Sequence, residues 1–140
     1  MARLERYLIA AVLAHLVVVL IHTVSHLVLQ ILPQPPDAAF ILFVILIGPV
    51  AALPILRFNR TLAGALLAVL MASAFVYGFQ SHFLAEGPDH VALVAGNPWT
   101  DVFAITAAII GALELLTALT GIAVMFKVSR RPWGSAEPRP

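Results

Sequence analysis

Five histidines stand in this sequence, and three of them, His15, His22 and His26, fall within a single apolar stretch. On a helix, His15 and His22 lie about 20° apart around the axis and His22 and His26 about 40° apart. The three then form one narrow stripe, with Ser25 and Gln30 near it. Imidazoles one helical turn apart, as in His22-x-x-x-His26, are spaced to chelate zinc, copper, iron or manganese. His82 in a later apolar stretch, Glu114 in the last one, and Asp89 and His90 in the polar segment between them complete the candidate ligands. The expected metal set is therefore His22, His26, His82, Asp89, His90 and Glu114. A carboxylate beside an imidazole also orients the ring and selects its tautomer.

Such residues need elements to position them, and the composition specifies which kind. Of 140 residues, 61% are hydrophobic and only 11% charged, and the mean hydropathy is +1.00. A soluble domain carries about a quarter charged residues, so this apolar excess is too large for one soluble core. It is gathered into four runs, at about 7–32, 38–56, 61–84 and 100–126, each long enough to cross a bilayer as a helix. Pro33-Gln34-Pro35-Pro36 ends the first, and Asp37 is placed to cap the second. Arg57-Phe58-Asn59-Arg60 makes a tight turn before the third. Gly48-Pro49 and Pro54 are expected to kink the second span. The fold class is all-α: an integral membrane four-helix bundle, up-down-up-down and antiparallel. A single transmembrane domain fills 1–131, and 132–140 form a disordered cytoplasmic tail rich in proline and arginine.

Charge supplies the orientation. All eight Lys and Arg residues fall at the chain ends or in the turn between spans two and three. The other two loops hold Asp37, Glu86 and Asp89 and no Lys or Arg. The positive-inside rule then places both termini in the cytoplasm, with the plasma membrane as the expected location. A cleaved signal peptide does not fit residues 1–30, because the apolar stretch is too long and no Ala-x-Ala site follows it. With a net charge of +1 there is no basic stripe for nucleic acid. Without cysteine, disulfides, thiolate nucleophiles, iron–sulfur clusters and Cys-type zinc sites are excluded. No Walker, Rossmann, nucleophile-elbow or HExxH pattern is present.

Depth along each span predicts which side chains meet. Counted from the cytoplasmic ends, His22 lies roughly 23 Å in, His26 roughly 29 Å, His82 roughly 31 Å and Glu114 roughly 20 Å. Antiparallel threading then pairs His22 with Glu114 and His26 with His82, with Asp89 and His90 above as a ligand or a lid. His15 matches no carboxylate in depth and is expected to make only an interhelical hydrogen bond. Gly111, Thr117, Thr120 and Gly121 suit close helix packing, and the hydroxyl of Tyr77 is within reach of the site.

Four functions follow from this pattern. The first is a transition-metal site, with catalysis on a lipid-like substrate as an extension. The second is a b-type haem or quinone carrier with His22 or His26 paired to His82 as axial ligands. The third is a non-catalytic subunit gripping a partner in a homo-oligomer or larger membrane complex, with the lipid bilayer as surroundings throughout. The fourth is a proton-coupled transporter using Glu114 and His22.

Overall fold

A computed structural model describes residues 2–94 and 96–129. Four of its helical stretches are long and apolar enough to span a membrane: Arg3–Leu29, Pro35–Ile55, Arg60–Leu84 and Trp99–Lys127. Spans two to four lie within a few residues of the expected runs, whereas span one begins earlier than Tyr7. The tail 132–140 lies outside the described residues.

Helix α1 (Ala2–Leu29) is followed by α2 (Pro35–Phe40), a π-helical segment Ile41–Ile47 and α3 (Gly48–Ile55), which together make the second span. Helix α4 (Arg60–Phe79) continues into a second π-helical segment, Gln80–Leu84, and α5 (Trp99–Ser129) closes the chain. Asp37 does not cap span two. Gln34 occupies the cap position without a side-chain bond, and Pro35 and Pro36 open the first turn. Proline is preset for that first turn and has no N–H to be capped. Asn59 does cap α4, accepting a hydrogen bond from the Leu62 amide at 2.9 Å.

The π turn at Ile41–Ile47 stands immediately before Gly48-Pro49. Proline cannot supply the next helical N–H, and a widened turn is one way to absorb the gap. The second π segment contains His82. Single π turns re-aim side chains and are frequent at functional sites.

Helix α1 ends in a Schellman motif. Gln30 adopts φ +58°, the Ile31 amide donates to the His26 carbonyl at 3.0 Å, and the Gln30 amide donates to the Leu27 carbonyl at 3.3 Å. The chain therefore folds back over His26 at the end of span one.

Packing is closest between α4 and α5. A Cβ added to Gly64 would stand 2.7 Å from the Gly121 carbonyl oxygen, and one added to Gly121 would stand 2.7 Å from the Gly64 carbonyl oxygen. Only two glycines let the backbones touch there, as in small-residue contacts between membrane helices. Gly121→Leu is expected to destabilise the protein by about 3 kcal/mol, since backbone cannot yield as a side chain can. Equilibrium unfolding in mixed micelles measures this, and wild-type stability would show that the contact is not needed.

Contacts between α1 and α5 run in opposite chain directions, His15 with Glu114 and His22 with Thr106. Those between α4 and α5 do the same, Gly64 with Gly121 and Phe75 with Gly111. At one end, Arg60 and Glu5 form an ion pair of 2.9 Å that ties α1 to α4.

Candidate metal centre

His22, His26 and His82 present ligand nitrogens that all lie within 4.8 Å of one another. The Nε2 atoms of His22 and His26 are 3.1 Å apart, and those of His22 and His82 are 3.4 Å apart. His22 is the common member and the most buried of the three.

The opposite edge of each ring settles what these nitrogens carry. His26 Nδ1 lies 2.9 Å from the Ile31 carbonyl, and His82 Nδ1 lies 3.0 Å from the Asp89 carbonyl. A carbonyl only accepts, so both Nδ1 atoms donate. His22 Nδ1 lies 2.8 Å from Thr106 Oγ1. The single hydroxyl hydrogen of Thr106 is committed to its own helix, at the Val102 carbonyl 2.5 Å away. Thr106 Oγ1 therefore accepts, and His22 Nδ1 also donates. In the neutral tautomer that follows, all three Nε2 atoms bear bare lone pairs directed at one another.

Converging lone pairs repel unless a cation lies between them. A proton on one ring serves one contact at a time, whereas a metal ion serves all three. With metal–nitrogen bonds of about 2.0–2.1 Å, tetrahedral ligands stand roughly 3.3 Å apart, close to both short separations here. Oxygen acceptors on each Nδ1 are the usual outer support of metal-binding histidines.

Phe103 forms the floor of the cluster. It is fully buried, stacks on His22 with centroids 4.9 Å apart, and meets His26 and His82 with centroids at 5.0 and 5.3 Å. Sequence reasoning passed over Phe103, Thr106 and the Ile31 carbonyl. The spacing Phe103-x-x-Thr106 puts a ring and a hydroxyl on one helical face and was the available signal.

The remaining candidates fall in three places. Asp89 accepts from His82 through its backbone and brings its carboxylate Oδ1 to 3.9 Å from His26 Nδ1. His90 is used by its own loop: Nδ1 accepts from the Ala92 amide at 3.2 Å, and Nε2 lies 3.3 Å from the Phe83 carbonyl. Glu114 is not partnered with His22. Its Oε1 lies 3.2 Å from His15 Nε2, with both side chains almost fully buried. The expectation that His15 has no carboxylate at its depth is thus corrected, as is the pairing of His22 with Glu114.

His22, His26, His82, Asp89 and Glu114 nevertheless share one cavity of about 360 Å³, lined otherwise mainly by apolar side chains. Tyr77 also reaches its wall while its ring packs on Phe40. A Cβ at Gly78 would stand 4.0 Å from Glu114 Oε2, so this glycine lies on the cavity wall beside the carboxylate.

The fold and site define the chain as a helical protein with four candidate membrane spans and a histidine cluster able to hold a metal. No protein family model matches it, and neither a curated protein nor a solved structure does.

Proposed function

We propose that this protein is a polytopic membrane protein that holds a transition metal ion on the Nε2 atoms of His22, His26 and His82. The observation that carries this reading is the convergence of three lone pairs whose Nδ1 hydrogens are already committed elsewhere. Neutral imidazoles suit zinc, copper, iron or nickel. Three protein ligands with a further position open are the pattern of catalytic rather than structural zinc. An ion held there supplies a Lewis acid at the edge of the apolar cavity.

The segregation of all eight Lys and Arg residues supports an up-down-up-down bundle with both termini in the cytoplasm. The histidine cluster then lies towards the extracytoplasmic side of the plasma membrane. The haem alternative is less well supported, because axial ligands must stand on opposite faces of a flat macrocycle. Here the Nε2 atoms of His22 and His82 are 3.4 Å apart and His26 crowds the same point.

Elemental analysis and an absorption spectrum of gently solubilised protein test this reading. One transition-metal ion per chain without a Soret band is the expected result. A Soret band, or no metal after loading with zinc, copper or iron, would contradict it.

Thr106→Val removes the acceptor that fixes the His22 tautomer while keeping the side-chain shape. Metal affinity is expected to fall about 10- to 100-fold with the fold intact. Competition against a chelator of known affinity measures this, and unchanged affinity would show that Thr106 does not orient the ligand.

A further inference from the structure

The cavity beside the histidine cluster has two polar stations and a hydrocarbon wall between them. At one end stand the three imidazoles and Asp89. At the other is the carboxylate of Glu114, buried and tied to His15 through Oε1, with Oε2 on the side of Gly78 and the cavity. His15 and His22 are seven residues apart on α1, which sets the stations roughly 10 Å apart along the bundle. A plain hydrocarbon chain filling this space would leave Glu114 Oε2 facing methylenes, at the cost of an unsatisfied buried acceptor.

One wall of the cavity is also open to the bundle surface. Ala108 and Ala112 of α5 line the cavity and are exposed on the outside of the bundle. Facing them from α4 are Phe75 and Phe79, whose rings stack with centroids 5.6 Å apart. Phe79 is 44% exposed and lines the same cavity. A Cβ at Gly111, between the two alanines, would lie 3.7 Å from the Phe75 ring. Small residues on one helix and aromatic rings on the other line a side window, and in a membrane that window opens on lipid.

We infer that the cavity binds a membrane-dissolved amphiphile that enters sideways between α4 and α5, sets an oxygen headgroup at the histidine centre and donates a hydrogen bond to Glu114. The ligand class is a hydrocarbon skeleton with two polar groups roughly 10 Å apart, matching the two stations. This rests on the metal reading above, since the ion supplies the open position for the headgroup. Apolar lining with a few placed polar groups is the general pattern of small-molecule sites, and the cavity volume lies in their range.

The test compares heptanoate with ω-hydroxyheptanoate, which differ only in a terminal hydroxyl. Binding is measured on zinc-loaded protein in phosphatidylcholine nanodiscs, with metal content determined on the same samples. The hydroxylated acid is expected to bind about tenfold more tightly, the worth of about one buried hydrogen bond. That preference should disappear in the double variant His15→Leu/Glu114→Leu. The double variant Ala108→Leu/Ala112→Leu, altered only at exposed positions, should keep its metal and slow association of the hydroxylated acid about tenfold. Equal affinity for the two acids in metal-loaded protein overturns this inference and leaves the metal reading standing, as does an unchanged association rate in the window variant. Protein that takes up no zinc overturns both.

Discussion

Replacing His22 with alanine is expected to abolish stoichiometric metal binding while the four spans remain assembled. His22 Nε2 is the atom that lies within 3.4 Å of both other ligand nitrogens. Removing it leaves His26 and His82 as a wider pair without the central donor. Loss of a supporting residue costs about 10- to 100-fold in affinity, and loss of this ligand should exceed the upper end of that range. The residue is largely buried, so some stability goes with it, and circular dichroism of the purified variant separates unfolding from simple metal loss. His90→Ala is the matched control. Its ring is engaged with the Phe83 carbonyl and the Ala92 amide, and the metal content should stay at the wild-type level. A fully loaded His22→Ala protein would mean that the ion is held elsewhere.

The second large effect is expected at the other polar station. His15→Leu leaves the Glu114 carboxyl without its hydrogen-bond partner inside the bundle. Removing one member of a buried ionisable pair costs about 3 kcal/mol or more. Replacing both members, as in His15→Leu/Glu114→Leu, is expected to recover most of that loss, because two leucines of similar bulk leave nothing unpaired. A double-mutant cycle measured by equilibrium unfolding in mixed micelles reads the coupling directly. Additive single effects would show that the two side chains do not support one another.

The spans were legible because a bilayer imposes length. Long apolar runs broken by Pro33-Gln34-Pro35-Pro36 and by Arg57-Phe58-Asn59-Arg60 leave few other readings. That His26 and His82 share a level was also legible, since the helical rise converts sequence position into depth. The same count placed His22 beside Glu114 rather than beside His82. The partner of Glu114 was not legible, and the start of span one explains much of that. Counted from Tyr7, His15 lies well short of Glu114 in depth. With the span taken as Arg3–Leu29, His15 is 12 residues in from Arg3, and Glu114 is 13 residues in from Lys127 on the antiparallel span.

Azimuth was the other hidden quantity. Lipid and bundle core are equally apolar, so a span with leucine, valine and isoleucine all round does not mark which face turns inward. Only the histidine stripe marked it for α1. On α5 the signal was the spacing Phe103-x-x-Thr106, weaker than the histidine stripe because other threonines and apolar residues surround it. The π segment carrying His82 and the Gln30 cap over His26 are backbone events with weak sequence signatures, yet they set where two of the three rings point.

X-ray absorption at the metal edge of the loaded protein in a bilayer tests the central claim most directly. Three nitrogen neighbours with the outer scattering of imidazole, at about 2.0–2.1 Å for zinc, are expected. A coordination sphere of oxygen alone, or one with fewer than three imidazoles, would contradict it.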